Sequence, residues 1–387
     1  MNNKRTILDL NTIPLANNLK PTAESSISAK RYPLRLLEED MTFRLDTQVD
    51  PSEMFHEYLY RSSVNEPYKQ HCRAMWSDIQ KHLSAYVKEM STIVDIGGND
   101  GTLLRVFKER MTDAAGVRMI NVDPSISFVE ENTASGIIYE RKFWADCKIG
   151  EKANLIVSTN VFQHNSDVHG FLRSVKENLD GIWVLEFPYF LRTAQTNQFD
   201  QIYHEHYFYW LITPLAKLFS DYGLSIVSIT EHSIHGGTIR IVSTNRGQGH
   251  AEEVQNYIRL EKEFDFASWG NSVKKKIESD ETFIQSLLNE GKVACFGAGA
   301  KSCVYLNCID KSLVDQFLYV VDDTPGKQGK FVPGTKLEVV DRTRITTDIP
   351  DCILVLIHNF KDHIIHSLRQ SFGGKIVVLL PEVQVYS

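Results

Sequence analysis

The sequence predicts an α/β protein that contains two separate sheets of mainly parallel strands. A glycine-rich turn, Gly97-Gly98-Asn99-Asp100-Gly101, directly follows the apolar run at 92–96. A second such turn, Gly297-Ala298-Gly299, follows the apolar run at 292–296. After each turn, apolar segments alternate with segments of helical spacing, which indicates repeated βα units. Such sheets hold their ligands at the carboxyl ends of the strands.

The composition is that of an ordinary globular protein with two or three domains. The chain has 387 residues, of which 42% are apolar and 24% charged, and a net charge of −7. No lysine- or arginine-rich stretch favours a nucleic-acid partner, and no apolar run predicts a signal peptide or a membrane span. The six cysteines form no C-x-x-C pair, so we expect reduced thiols, a cytoplasmic location and no bound metal.

The pattern of elements predicts three domains, at 1–50, 51–250 and 251–387. The first is a small module with a hairpin around 35–46, and 51–90 is helical in pattern. For the second domain we predict a helix capped by Thr213 and strands at 92–97, 118–123, 137–141, 154–159, 182–187, 224–230 and 238–243. Five alternating strands with a closing hairpin are typical of the seven-stranded, Rossmann-like sheet of class I methyltransferases. A charged helix over 251–290 then leads to a smaller Rossmann-like α/β domain with strands at 292–296, 317–321, 352–357 and 375–380.

The first glycine turn predicts a site for S-adenosylmethionine (SAM). Asp95, Gly97 and Gly101 form the pattern D-x-G-x-x-x-G, and Asp123 ends the next apolar run. Glycine allows close approach of a ligand, and an acidic residue at this distance is suited to ribose hydroxyls. Because the spacing is not that of a dinucleotide fold, a ligand with a ribose and no pyrophosphate fits better. A tight turn without a ligand is the structural alternative.

Other residues are candidates for the same site because they lie in the turn or follow neighbouring strands. Asn99 lies within the turn, and Asn160 follows the fourth strand. Phe143 and Trp144 follow the third strand and are candidates to stack on adenine, although core packing is an alternative for both. Tyr60, together with Tyr58, Ser62 and Ser63, is a candidate lid residue; the alternative is an amphipathic helix end.

A cluster of acid and base side chains lies at Tyr203-His204-Glu205-His206, after the fifth predicted strand. Histidine suits proton removal near neutral pH, and a neighbouring carboxylate increases its basicity. A hydrogen-bonded structural turn is the alternative, and the i,i+2 histidine spacing does not favour zinc. His164 and His235 lie in loops predicted at the same edge. In the last domain, the turn at 297–302 with Lys301 predicts an anion site, or a tight packing turn.

Taken together, these motifs resemble the SAM-dependent C-methyltransferases that act on nucleotide-linked deoxy-ketosugars. The matching stretches are Pro14–Asn17, Tyr58–Ser63, Ile96–Leu104, Val122–Pro124, Glu186–Tyr189, Tyr203–His206, His235–Arg240, Gly297–Lys301, Asn359-Phe360 and Pro381–Val383. The resemblance implies an N-terminal zinc module, a methyl-donor domain and a C-terminal α/β domain that helps hold the sugar nucleotide. It also implies that His206 is the catalytic base, that Glu205 and Tyr203 assist it, and that His164 and Tyr60 line the pocket.

One departure from the family concerns its zinc module. The family carries paired cysteines near position 33, whereas this chain has no cysteine before Cys72. We therefore expect that the N-terminal module has lost its metal. Because this module helps to form the substrate pocket in the family, the resemblance does not fix the identity of the substrate.

The sequence thus predicts a SAM-dependent methyltransferase that transfers a methyl group to a carbon of a nucleotide-linked ketosugar, through an enolate formed by His206. His235, Lys301 and Asn359 are the predicted substrate-binding residues, in a monomer or homodimer. Alternatives are methylation of oxygen or nitrogen on the same scaffold, a binding protein without catalysis, and an NAD-dependent enzyme that uses the turn at 297–302.

Overall fold

The computed structural model describes residues 4–50, 53–54, 61–64, 66–247 and 249–387. The chain forms two compact units. The central unit comprises Pro51–Tyr189 and Phe208–Phe264, and the terminal unit comprises Met1–Asp50, Phe190–Tyr207 and Asp265–Ser387. The units therefore differ from the predicted domain ranges, because residues 190–207 leave the central unit and its last helix extends it to 264.

The central unit is built on a seven-stranded sheet, which confirms the predicted fold class. Across the sheet the strands are Ser225–His232, Thr238–Thr244, Leu179–Pro188, Ala153–Thr159, Thr92–Ile96, Arg118–Val122 and Ile138–Glu140. The last five in this order run parallel, and Thr238–Thr244 pairs antiparallel on both sides. From Thr92–Ile96 the chain crosses first to one side and later to the other, which makes its carboxyl end a topological switch point.

The strands of the central unit form because their apolar runs are covered by helices on the two faces of the sheet. All five residues of Thr92–Ile96 and all seven of Thr238–Thr244 are buried. The helices are Glu66–Tyr86, Thr102–Arg110, Val129–Ala134, Val168–Asn178, Ile212–Asp221 and Ala251–Glu263. No described helix is long and apolar enough to cross a membrane.

The predicted Thr213 cap is wrong, because the helix begins one residue earlier and a distant carboxylate caps it. Buried Glu261 accepts hydrogen bonds from the backbone amides of Ile212 (2.6 Å) and Thr213 (2.8 Å), and from the Tyr189 hydroxyl (2.7 Å). A carboxylate at a helix N-terminus satisfies unpaired amides and complements the helix dipole. Thr213 itself donates its hydroxyl to Glu261 rather than acting as the cap.

The predicted helix over 251–290 is two helices, Ala251–Glu263 and Phe266–Glu290. The chain breaks at 264–265, where the Asp265 carboxylate caps the second helix through the amides of Ala267 (3.0 Å) and Ser268 (3.2 Å). This break separates the two units.

The terminal unit contains an N-terminal module and an α/β domain. In the module, strands Arg5–Pro14, Arg31–Glu39 and Thr42–Leu45 pair antiparallel, and the predicted hairpin turns at Asp40 and Met41, both at positive φ. The sheet of the α/β domain has the order Val339–Val340, Val320–Val321, Val293–Phe296, Cys352–Val355, Lys375–Val378 and Gln384–Tyr386, and only the last strand is antiparallel. The helices of the unit are Ala23–Ile27, Phe190–Gln195, Phe266–Glu290, Ala300–Cys308, Lys311–Val314, Arg344–Thr347 and Lys361–Leu368.

Candidate active site

The glycine turn after Thr92–Ile96 needs its glycines for backbone shape and packing. Gly97 has φ +66° and Gly101 has φ +77°, a region that residues with a Cβ rarely adopt. A Cβ at Gly97 would lie 2.4 Å from a methyl of Val161, and one at Gly101 would lie 2.3 Å from Oδ1 of Asn132. These two glycines therefore accommodate neighbouring protein side chains at the turn.

Asn99 is the centre of the turn and links it to Asp123. Its backbone has φ +54°, its amide donates to Oδ2 of Asp123 (3.1 Å), and its carbonyl accepts from the side-chain amides of Asn121 (2.9 Å) and Asn132 (3.1 Å). Asn residues tolerate this left-handed conformation better than most. The network fixes the turn relative to the next strand, as the predicted site requires.

The carboxylates of this site suit a ligand with hydrogen-bond donors. Asp123 also accepts from the amide of Ser125 (2.9 Å) and still has acceptor capacity, because a carboxylate offers about four lone pairs. Asp95 is 1% exposed, and its Oδ1 has no hydrogen-bond partner among the described residues. Burial, together with the neighbouring charges of Asp123 and Asp100, raises the pKa of Asp95 well above its usual value. The ribose hydroxyls and the ammonium group of SAM are hydrogen-bond donors, and the carboxyl oxygens of Asp95 and Asp123 can accept further hydrogen bonds. The two residues therefore fit that ligand.

The aromatic pair after the third strand separates into one surface ring and one core ring. Phe143 is 54% exposed, so its face is open for stacking on a planar base. Trp144 is 4% exposed, and its indole N–H donates to the carbonyl of Phe171 (3.2 Å). Trp144 therefore belongs to the core, and Phe143 remains the candidate.

The other predicted donor-site residues lie at the positions that the sequence indicates, as far as the structure describes them. Asn160 has φ +55° directly after its strand, and His164 is half-buried in a short turn beyond it. Tyr60 lies outside the described residues. The backbone of His235 forms a turn between the two closing strands, and its side chain is outside the described part of the structure.

Two neighbours of this site, Asp100 and Gln163, were not singled out from the sequence. Asp100 is buried and accepts from the amide of Ser63 (2.9 Å) and from Thr102 (2.6 Å); although burial raises its pKa, these bonds bring the pKa below its usual value. The amide of Ser62 donates to Oδ1 of Asn99 (3.2 Å), so the predicted lid segment does contact the turn. Gln163 is buried with no partner for either side-chain amide atom in the described chain, and only its place after a strand could have indicated it.

The acid and base cluster at 203–206 forms a bend in the terminal unit. The His206 amide donates to the Tyr203 carbonyl (2.9 Å), and the Tyr203 hydroxyl is hydrogen-bonded to Nε2 of His206 (2.8 Å). The two rings lie 4.1 Å apart, and His206 is buried. The predicted catalytic pair is therefore a direct contact, in which the phenol orients the imidazole.

His204 and Glu205 have separate environments. Nε2 of His204 is hydrogen-bonded to the carbonyl of Pro33 (3.2 Å), its ring packs on Tyr32, and burial lowers its pKa. Glu205 is 7% exposed, burial raises its pKa to about 7, and the side-chain amide of Asn17 donates to its Oε1 (2.6 Å). His204 is thus a supporting residue, whereas Glu205 can change its protonation near neutral pH.

In the C-terminal sheet, the second glycine turn is paired with Asp322. Gly297 has φ +97°, and the next amide, of Ala298, donates to Oδ2 of Asp322 (2.8 Å). Nζ of Lys327 lies 3.1 Å from the same oxygen. Burial raises the pKa of Asp322, but the charge of Lys327 and the hydrogen bonds to the carboxylate bring this pKa below its usual value. The turn therefore combines a glycine at positive φ with a carboxylate that is partly occupied by Lys327.

Beside this turn the structure shows a buried polar group that the sequence did not indicate. Asp200 is fully buried and its carboxylate lies 3.4 Å from Nδ1 of His358, whose Nε2 is hydrogen-bonded to Gln198 (3.0 Å). Burial lowers the pKa of His358 to about 4 and that of Lys301 to about 8, while Asp200 opposes both changes. Lys301 is half-buried, and Oδ1 of Asn359 is buried without a partner among the described residues.

The cysteines and other metal-ligating residues form no candidate metal centre in the described parts of the chain. No group of three or more His, Cys, Asp or Glu side chains is arranged to hold an ion there. The six cysteines are free, and five of them are buried.

Comparison with known proteins matches two stretches of the chain to methyltransferase families. Residues 68–229 match the family of methyltransferase domains, and residues 233–381 match the family described as the C-methyltransferase C-terminal domain. The C-methyltransferase NovU of Streptomyces niveus is 26% identical over 98% of this chain and 94% of its own length.

Solved structures also match part of the chain. Magnesium protoporphyrin IX methyltransferase from Synechocystis PCC 6803, with bound SAH, covers 49% of this chain and 90% of its own, at 14% identity and a TM-score of 0.37. A SAM-dependent methyltransferase from Clostridium acetobutylicum covers 46% and 92%, at 11% identity and a TM-score of 0.36.

The site and these matches define the class of protein: the chain is an enzyme, a SAM-dependent methyltransferase. Over nearly its full length the chain is similar to the C-methyltransferase NovU, and its residues 233–381 match the C-methyltransferase C-terminal domain. The predicted resemblance is thereby confirmed.

Proposed function

We propose that this enzyme methylates a carbon atom next to the ketone of a nucleotide-linked sugar, with His206 as the general base. The observation that carries the proposal is the contact between half-buried Tyr203 and buried His206, 2.8 Å from hydroxyl to Nε2. Histidine is suited to removing the weakly acidic proton beside a ketone, because its imidazole can accept a proton near neutral pH. The full-length similarity to NovU supports transfer to carbon.

The reaction needs one proton transfer and one methyl transfer. The His206 imidazole takes the proton, and the electrons of the broken C–H bond form the enolate of the acceptor. SAM supplies the methyl group as an electrophile, so that a C–C bond forms while the S–CH3 bond breaks. The Tyr203 phenol holds the imidazole in place, and burial of His206 limits the access of water to the base.

The donor would be held by residues of the central unit. We assign Asp123 to the ribose hydroxyls, Phe143 to the adenine face, and Asp95 to a donor group of the methionine part. The positions of Gly97, Gly101 and Asn99 support this assignment by shaping the turn, and Asn160, His164 and Tyr60 remain candidates for the same pocket.

The nucleotide of the acceptor would be held by the C-terminal α/β domain. Lys301 supplies a positive charge beside the turn at Gly297, and Asn359 supplies a buried acceptor without a partner in the described chain. A cation and backbone amides at a helix N-terminus suit a phosphate. His235 remains a candidate on the central unit.

Hydrogen exchange tests the base directly. The acceptor is incubated in deuterated water with the enzyme and SAH in place of SAM, and incorporation of deuterium next to the ketone is followed by mass spectrometry. The wild-type enzyme should catalyse exchange and His206→Ala should abolish it, while His204→Ala should retain much of it. Exchange that persists in His206→Ala would move the base to another residue. Methyl transfer without any exchange in the wild type would favour methylation of oxygen or nitrogen.

A further inference from the structure

The N-terminal module contacts three of the four residues from 204 to 207, all within the terminal unit. The Pro33 carbonyl is hydrogen-bonded to the His204 ring, and the side-chain amide of Asn17 donates to Glu205. The backbone amide of Leu45 donates to the Tyr207 carbonyl (2.9 Å). Two of these three contacts use backbone atoms of the module. Three side chains of the module also take part: the Tyr32 ring packs on His204, Arg44 donates to the Tyr207 hydroxyl (3.4 Å), and the hydrogen bond from Asn17 is the shortest, at 2.6 Å.

Asn17 is held where it can reach Glu205. The preceding residues, Leu15 and Ala16, are buried directly after strand Arg5–Pro14, and the amide of Asn18 donates back to the Leu15 carbonyl (3.3 Å). The side-chain amide of asparagine is a neutral donor that does not titrate. It therefore donates to the Glu205 carboxylate at any pH and favours its ionised form.

We propose that Asn17 is a positioning residue for Glu205, and that the N-terminal module thereby completes the acid and base segment at Tyr203–His206. This inference rests on the proposed function, because it assumes that this segment carries the proton transfer. Glu205 is active when its carboxylate is ionised. The Asn17 amide fixes the orientation of this carboxylate and disfavours its protonation.

The electrostatic surroundings of Glu205 make this donor important. Burial raises its pKa to about 7, and the hydrogen bond from Asn17 opposes that rise. His204 and His206 flank it on its own segment. From helix Ala300–Cys308, the Cys303 thiol is also close enough to be affected by the Glu205 charge, but burial raises the pKa of this thiol to about 12, so it stays neutral in the assay range.

The test is the pH profile of kcat for methyl transfer by the full-length enzyme. Glu205 is active when ionised, so activity falls as the pH drops through its pKa. Asn17→Ala should move this acidic limb upward by about one pH unit, with an unchanged Kd for SAM. Asn17→Asp has the same shape but adds a second carboxylate, so it should move the limb at least as far. Asn18→Ala, which changes the adjacent exposed asparagine, should leave the profile as in the wild type.

A double variant decides whether Asn17 acts through Glu205. In a Glu205→Gln background, Asn17→Ala should change kcat less than about twofold, since there is no carboxylate left to position. An unmoved limb in both Asn17 variants, or losses that multiply in the double variant, would overturn the proposal. A failure of the proposed function is seen separately, because the wild type itself would then show no exchange of the acceptor proton.

Discussion

Asp123 is the residue at which the structure gives the sharpest test of the donor site. Its carboxylate accepts the amides of Asn99 (3.1 Å) and Ser125 (2.9 Å), and at 3.4 Å it lies near the hydroxyl of Tyr139. A ribose hydroxyl would add a charged hydrogen bond to the remaining acceptor positions. Loss of such a bond costs about 1.5–3 kcal/mol, so Asp123→Ala should raise the Kd for SAM roughly 10- to 150-fold.

Because Asp123 also holds the turn, the design must separate turn damage from the lost ribose contact. Asp123→Asn keeps one carbonyl oxygen and should weaken SAM binding less than Asp123→Ala. Tyr139→Phe removes a hydroxyl that donates mainly to the Ser125 carbonyl (2.6 Å) and should change the Kd less than about threefold. Thermal unfolding of each variant without ligand measures how much the turn itself has lost.

Isothermal titration calorimetry with SAM and with SAH provides the affinities. A Kd for Asp123→Ala within twofold of the wild type would refute the assignment of this carboxylate to the ribose. If the unfolding temperature of the free protein falls in proportion to the affinity across the series, the effect belongs to the turn and not to a ligand contact.

Three further predictions follow from other parts of the molecule. Lys301→Ala should raise the KM for the nucleotide-linked acceptor several-fold while the Kd for SAM stays unchanged; a change in SAM affinity alone would contradict its assignment. Glu261→Ala leaves two buried helix amides and the Tyr189 hydroxyl without an acceptor, and chemical denaturation should show a loss of about 3–5 kcal/mol, with Glu261→Gln losing less. Metal analysis of the purified protein should find well under one zinc per chain, and a stoichiometric zinc that survives dialysis would contradict the loss of the site.

The sheets were predictable because their signal is local. Thr92–Ile96 and Val293–Phe296 are short apolar runs followed by glycine turns, and both are interior strands of their sheets. The start of helix Ile212–Asp221 was not predictable from the local sequence, because its cap comes from Glu261, 49 positions beyond Ile212. A local rule sees Thr213 next to a proline and assigns it the cap, whereas the buried carboxylate accepts the amides of Ile212 and Thr213, so that the helix begins before Thr213.

The candidate site divides in the same way. The bond between Tyr203 and His206 spans three positions, and the clustering of acid and base residues in the sequence indicated it. The partner of Glu205 lies 188 positions away, in a module whose own sequence carries no catalytic signal. Contacts of this kind depend on tertiary structure, so sequence patterns identify the reactive residues but not the residues that set their protonation.

The N-terminal module shows why its contacts can persist without the family's cysteines. Its strands bury apolar side chains such as Ile13, Leu34 and Leu36, and Phe43 packs against Phe190 with ring centres 4.6 Å apart. Each fully buried aliphatic or aromatic side chain contributes about 1.5–3 kcal/mol, so four of them together approach the roughly 10–16 kcal/mol of a structural zinc. The contacts to residues 204–207 come from backbone atoms and from the side chains of Asn17, Tyr32 and Arg44, and none of these depends on a thiolate. The packing that holds the module also holds Asn17 against Glu205, so a module with no cysteine before Cys72 can still play the part in the reaction that we propose for it.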